Sequence, residues 1–126
     1  MMFRNMLVLL PLLAFGAGCS TTLTNLTPKQ QVRNANGLYP LEVAWDSRQG
    51  TVKQETIRGS VVVGLDIFPM KPTPMLKNRW EVLVPIPPDK TFINYRFKFD
   101  YDYRRIPEPR ASSKLSTPYR LDIIEK

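Results

Sequence analysis

The sequence predicts an all-β fold, a small antiparallel β-sandwich of about six or seven strands. Apolar and polar residues alternate with period two in several segments, as they do in strands with one buried face. The 12 prolines fall mostly between apolar runs, which favours short strands joined by turns over long helices. A body of about 100 residues suffices for one hydrophobic core, so we expect a single domain.

The first half of the body contains three candidate strands. Residues 38–46 alternate, with Tyr39, Leu41, Val43 and Trp45 on one side. A turn over residues 47–50 leads to a more polar strand candidate over 51–59. Residues 60–68 are apolar and β-branched, which favours a central strand. Residues 69–78 contain three prolines and are predicted to form a loop.

The second half contains the strongest alternation. Residues 79–87 form a strand candidate whose apolar face consists of Trp80, Val82, Val84 and Ile86. Residues 92–105 place aromatic side chains on one face (Tyr95, Phe97, Phe99, Tyr101, Tyr103) and charged side chains on the other (Arg96, Lys98, Asp100, Asp102, Arg104). We expect these two strands to pair as a central hairpin, with Trp80 and Phe97 facing the other sheet. Residues 106–118 are expected to connect to a last strand at 119–126.

The N-terminal 18 residues have the parts of a signal peptide. Arg4 gives a positive start, residues 6–15 are apolar, and the small residues 16–18 precede the single cysteine, Cys19. The apolar run is shorter than the ~20 residues that span a bilayer. Pro11 and the glycines argue against a buried core helix.

The junction Ala17-Gly18-Cys19 after such a run resembles the lipobox of bacterial lipoproteins, with Gly16 where that motif usually has Leu. The resemblance implies cleavage between Gly18 and Cys19 and lipidation of Cys19. Acyl chains, at ~0.8 kcal/mol per buried CH₂, hold a protein on a membrane without a spanning helix. From the residues alone, a free thiol or an intermolecular disulfide stays open.

These features predict three regions: a signal peptide over residues 1–18, a lipidated N-terminus and flexible polar tether over 19–37, and the β-sandwich domain over 38–126. In the lipoproteins that the junction resembles, an Asp directly after the cysteine retains the protein in the inner membrane. Ser20 at that position therefore favours the outer membrane. The expected location is therefore the bacterial cell envelope, with membrane attachment through the lipid on Cys19.

Part of the body, residues 61–100, resembles glycogen- and starch-binding modules. The matching positions are Gly64, Pro69-Met70, Trp80-Glu81, Val84, Ile86-Pro87, Tyr95, Phe97 and Asp100. The resemblance implies an immunoglobulin-like sandwich. Those modules usually carry a sugar-stacking tryptophan after the strand that corresponds to residues 61–64, and this chain has none there. The resemblance therefore supports the architecture more than sugar binding.

Composition excludes several kinds of chemistry. The chain has no His, so it has neither a Ser-His-Asp triad nor a His metal ligand, and it has no Gly-rich phosphate loop. Asp100 and Asp102 share a strand face, but Lys98 and Arg104 flank them, which is typical of a solvated strand. We expect no enzyme activity, no cofactor and no metal site. The net charge of +7 is scattered without a basic block, and with the export signal we expect no nucleic-acid partner.

The remaining candidates are apolar or aromatic residues that can meet a partner. They lie in the proline-rich loop and at the end of the aromatic strand: Met70, Pro72, Met75, Leu76, Tyr101 and Tyr103. The loop can equally be a lid on the core. Two functions follow, a lipid-anchored module that binds or scaffolds an envelope protein, and a carbohydrate-binding surface lipoprotein.

Overall fold

A computed structural model describes residues 21–48 and 50–126 of the chain. Within these residues, ten strands form two sheets that pack face to face. The predicted all-β sandwich is confirmed. The predictions made for residues 1–20, including the signal peptide, the cleavage site and lipidation of Cys19, lie outside the described residues.

The first sheet has four strands in the order β1-β3-β7-β6, all antiparallel. They are β1 (Thr21–Asn25), β3 (Leu38–Ser47), β7 (Arg79–Pro85) and β6 (Lys71–Pro72). The longest, β3, forms because its apolar residues repeat every second position, and Tyr39, Leu41, Val43 and Trp45 are all buried as predicted.

The second sheet runs β2-β10-β8-β4-β5, with β9 also paired to β8. Its strands are β2 (Gln30–Val32), β10 (Tyr119–Ile124), β8 (Phe92–Tyr103), β4 (Arg58–Val63), β5 (Asp66–Pro69) and β9 (Arg110–Leu115). β9 and β10 pair with successive parts of one edge of β8. They separate at residues 116–118, where Pro118 has no N–H to donate to a ladder. β2 lies parallel to β10, and the other pairs are antiparallel.

The strand order is that of an immunoglobulin-like sandwich. Such domains place strands A, B, E and D in one sheet and C, F and G in the other. In their order across the sheet, β1, β3, β7 and β6 take the places of A, B, E and D. The strands β4, β8 and β9–β10 take those of C, F and G, and β5 extends the second sheet.

The core is aromatic where the two sheets face each other. The rings of Trp45 and Phe99 stack with centroids 5.0 Å apart, and Trp80 meets Phe99 edge-on at 5.4 Å. Tyr95, Phe97, Phe99 and Tyr101 of β8 are all buried, which confirms the predicted apolar face of that strand. Trp80 and Phe97 both face the opposite sheet, as expected.

Gly59 in β4 lies directly opposite Phe99 in the ladder, and the ring covers it. A Cβ atom on Gly59 would lie 2.7 Å from two atoms of that ring, closer than van der Waals contact allows. A second glycine, Gly64, has φ +61° at the first central position of the two-residue turn between β4 and β5. That position of a type II′ turn needs a positive φ, which glycine adopts without strain.

Several strand predictions were wrong in their pairing or bounds. Strands β7 and β8 do not form a hairpin, because the connection between them crosses from one sheet to the other. Residues 60–68 are not one strand, since the turn at Gly64 folds β4 onto β5. Residues 51–59 contain a short 3-10 helix, Gln54–Thr56, before β4 begins.

Segments expected to be irregular also contribute strands. The expected tether over 19–37 contains β1 and β2, one in each sheet, so the folded domain includes residues from Thr21 onward. The expected loop at 69–78 begins with the end of β5 and with β6, and the expected connection at 106–118 contains β9. These additional strands lie at sheet edges and raise the count from six or seven to ten.

Candidate functional site

The proline-rich loop presents two of its predicted residues to solvent. Residues 73–76 form a turn in which the Leu76 N–H donates to the Thr73 carbonyl oxygen at 3.3 Å. Pro74 occupies its second position, and Met75 its third, with φ +65°. This is the position of a type II turn that glycine normally fills. The Met75 side chain is 100% exposed and that of Leu76 49% exposed.

Met70, a candidate contact residue in the sequence, is buried, so for this residue the alternative of a lid on the core holds. Its backbone N–H donates to the Gly59 carbonyl oxygen at 2.9 Å, and its side chain is buried in the core cluster. Met70 stands between β5, which lies in one sheet, and β6, which lies in the other. Its side chain therefore faces the space between the sheets. Pro72, in β6, is exposed.

Tyr101, another candidate contact residue, is also buried. It is 6% exposed, and its ring meets Trp45 edge-on at 5.1 Å. The residues after β3 cover the end of β8, because the Arg104 N–H donates to Thr51 and the Lys53 N–H to Asp102. Tyr103 is half-buried and pairs with Val52. The six predicted residues therefore do not form one surface.

A groove that the sequence did not predict runs along one side of the sandwich, between β1 and the β9–β10 edge. Its larger part has a volume of about 510 Å³. The lining residues of that part are Asn25, Thr27, Lys29, Tyr95, Pro118, Tyr119, Arg120 and Asp122. A second part of about 330 Å³ continues past Tyr119, between residues 21–23 and 114–117. We call the two parts together the side groove.

The wall of the side groove is held by polar contacts from β1. The Asn25 side-chain amide donates to the Tyr95 hydroxyl at 2.9 Å, and the Thr27 hydroxyl donates to the Glu42 carbonyl oxygen at 3.1 Å. Burial raises the pKa of Tyr95 above its ordinary value of 10.0, so the groove contains a neutral phenol. Tyr119 is half-buried, and its ring lies 5.8 Å from that of Tyr95.

The charged residues of the side groove are mostly basic. Arg120 pairs with Asp122 at 2.9 Å and lies over the Phe92 ring, 3.9 Å from its centroid. Lys29 and Lys114 are exposed, and no ion pair with either is found in the described part of the chain. The lining therefore carries three cationic side chains against one carboxylate, which favours contact with acidic groups.

The edge of β1 beside this groove has no strand partner among residues 21–48 and 50–126. The Leu26 N–H donates to Glu42 across the β1–β3 ladder at 2.9 Å. In an antiparallel ladder every second residue bonds the partner, so the N–H groups of Leu23 and Asn25 point to the free side. The only feature of the sequence that indicates this strand is the alternation within residues 21–25, and that segment is short and mostly polar.

The carboxylates of β8 occupy a solvated face. Asp100 lies 3.7 Å from Lys98, the flanking cation named from the sequence. No group of three or more His, Cys, Asp or Glu side chains that could hold a metal ion occurs in the part of the chain that the structure describes. Within that same part, no helix is long and apolar enough to cross a membrane.

Comparisons with known proteins return no relative. The chain matches no family model, no curated protein and no solved structure.

Proposed function

We propose that this protein is a non-catalytic lipoprotein of the bacterial cell envelope, anchored through Cys19, whose β-sandwich binds an extended segment of an envelope protein. The observation that carries the binding role is the unpaired edge of β1 beside the side groove. Sheet edges present unsatisfied N–H and C=O groups, and an extended peptide can pair with them as an additional strand.

The geometry supports this mode of binding in two ways. The backbone of β1 supplies hydrogen-bonding groups that do not depend on the partner's sequence. The two parts of the side groove, on either side of Tyr119, can each accept a side chain of the bound segment. Lys29, Lys114 and Arg120 favour a segment that carries acidic residues.

The anchoring role is supported by the sequence. Residues 1–18 resemble a lipoprotein signal peptide, and Cys19 has the position that such proteins lipidate. A Cys19→Ser variant is expected to be unprocessed or misplaced, while its sandwich still folds. Membrane fractionation with mass spectrometry of the N-terminal peptide measures this, and normal fractionation of the variant would contradict the anchor.

The binding role is tested by photo-crosslinking in cells. A photoreactive residue replaces exposed Thr22 of β1 in the full-length protein, and a matched one replaces exposed Leu83 on the outer face of β7. We expect one envelope protein to form an adduct from position 22 and none from position 83. Equal adducts from both positions, or none from position 22, would overturn the proposed groove.

Carbohydrate binding is the second candidate, favoured by the half-buried ring of Tyr119 in the side groove. Both tryptophans pack in or against the core, so neither offers an exposed stacking platform. Retention of the protein on an envelope polysaccharide, lost in a Tyr119→Ala variant, would favour this candidate over the protein partner.

A further inference from the structure

The folded domain begins very close to the proposed lipid anchor. β1 starts at Thr21, two residues after Cys19. An extended chain spans at most about 3.6 Å per residue, so Thr21 lies within about 7 Å of a lipidated Cys19. The headgroup region of a leaflet is about 5–8 Å thick. A lipid on Cys19 therefore leaves no room for a tether, and the end of the sandwich at Thr21 has to meet the membrane surface.

The contacts of β1, β3 and β8 identify what else lies at that end. Thr21 pairs with Ser47, the last residue of β3. The Trp45 N–H donates to the Asn78 carbonyl oxygen at 2.7 Å, which brings the loop at 73–78 to the same end. The Arg104 N–H donates to Thr51 at 2.7 Å, which brings the loop at 104–109 there as well. We call this part of the molecule the Thr21 end.

The loops of the Thr21 end hold large apolar side chains in solvent. Met75 is 100% exposed, Ile106 94% and Leu76 49%. Met75 also has a positive φ, which costs a residue with a Cβ atom about 1–2 kcal/mol. Folding gains nothing from this conformation, since the side chain contacts no core residue. Backbone strain of this kind concentrates at functional positions.

Charges at the Thr21 end are basic in excess, though only by two. The basic residues are Arg48, Lys53, Lys77, Arg104, Arg105 and Arg110. The acidic residues are Asp46, Glu55, Asp102 and Glu108. A Lys or Arg near an anionic membrane contributes about 1 kcal/mol. Because the excess is only two charges, attraction to an anionic membrane adds little. The exposed apolar side chains therefore make most of the contact with the lipid surface.

We infer that the Thr21 end lies directly on the lipid bilayer, with Met75, Leu76 and Ile106 entering the boundary between headgroups and acyl chains. The inference rests on the proposed anchor at Cys19. It assigns the exposed loop to the membrane, and it leaves the larger part of the side groove, which is lined from Asn25 onward, accessible to a protein partner.

The opposite end of the sandwich supplies a matched control. Leu65, in the turn between β4 and β5, is 101% exposed. Val62 pairs with Arg96, so this turn lies near the beginning of β8, whereas Tyr103 and the loops named above lie at its other end. If the Thr21 end faces the membrane, Leu65 points away from it.

The test uses full-length lipidated protein in vesicles of two compositions. One is phosphatidylcholine alone, and the other contains about 30% anionic phosphatidylglycerol, which gives the surface a negative charge. An environment-sensitive fluorophore is attached to Met75→Cys, Ile106→Cys or Leu65→Cys; acylated Cys19 has no free thiol. We expect blue-shifted emission, and quenching by a lipid-borne quencher, at positions 75 and 106 in both vesicle types. Position 65 should behave as in water.

The outcomes separate the inference from the anchor on which it rests. Acylated Cys19 with no quenching at positions 75 and 106, or with equal quenching at 65, would overturn the inference and leave the anchor standing. Mass spectrometry that finds no acyl chain on Cys19 would overturn both. Quenching confined to the anionic vesicles would contradict the apolar insertion and indicate a purely electrostatic contact.

Discussion

Two groups of large apolar side chains lie close together at the Thr21 end, and they differ in burial. Trp45, Phe99 and Tyr101 pack ring against ring between the sheets. Met75 and Ile106 extend from loops and are almost wholly exposed. The first group contributes to folding, because burial of apolar surface stabilises the native state. The second is not buried by folding, and the proposed membrane contact would bury it.

The largest expected effect tests the buried group. Phe99→Ala removes a ring that is 0% exposed and contacts Trp45 and Trp80. We expect a loss of about 3–5 kcal/mol in the free energy of unfolding, from lost burial and the cavity left behind. Met75→Ala should change it by less than about 0.5 kcal/mol. Denaturant unfolding measures both, and similar losses would abolish the contrast between the two groups.

Gly59→Ala tests the same ring from the neighbouring strand. The new Cβ atom would lie 2.7 Å from Phe99, so the ring has to move within a packed core. We expect a loss of about 1–3 kcal/mol, as for other overpacked sites. Gly50→Ala is the matched control, because nothing lies within 4 Å of its added Cβ. Equal stability of the two variants in thermal unfolding would show that Phe99 is free to shift.

Ser116→Ala tests the edge of β8 that pairs with β9 and β10. The Ser116 hydroxyl accepts from the Phe97 N–H at 2.9 Å and donates to the Thr117 carbonyl oxygen at 2.8 Å. Its removal leaves a buried N–H without a partner, which costs about 1–3 kcal/mol. Exposed Ser113 of β9, changed to Ala, should have little effect. Hydrogen exchange of the Phe97 amide reports the change locally, and unchanged protection would contradict the role of the hydroxyl.

The smallest expected effect has the opposite sign. Met75→Gly relieves a positive φ and should stabilise the isolated protein by about 0.5–1 kcal/mol. The same change removes an apolar tip and should weaken the contact with vesicles. Leu76→Gly has no such strain to relieve and should not stabilise. A destabilised Met75→Gly variant in thermal unfolding would mean that the side chain does contribute to folding.

The sequence predicted the inner strands well because their pattern is local. Every second residue is apolar over residues 39–45 of β3 and 93–103 of β8, and this alternation decides which face is buried. The edge strands were not predicted, since β1 and β2 have five and three mostly polar residues. They are strands because β3 and β10 lie beside them, which is a long-range effect.

The site was harder to predict for the same reason. The proline-rich loop was predicted, but its exposure was left open. Met75 and Leu76 are exposed, whereas Met70 is buried where the chain passes between the sheets. Tyr101 was expected to lie where the core thins, yet residues 51–53 cover that end of β8. One wall of the side groove, residues 21–29, and residues 114–118 of the other come from segments expected to be irregular, so the groove could not be predicted without the fold.

The pairing of β1 with β3 has a mechanical consequence. Thr21 is the first residue of β1, and Ser47, its partner, is the last residue of β3. A force that draws Thr21 away from the domain along the strand axis therefore loads the hydrogen bonds of this five-residue ladder together, in shear. A force across the strand would open them one at a time. With the proposed anchor at Cys19, the domain would thus resist a pulling force best along the direction in which β1 points.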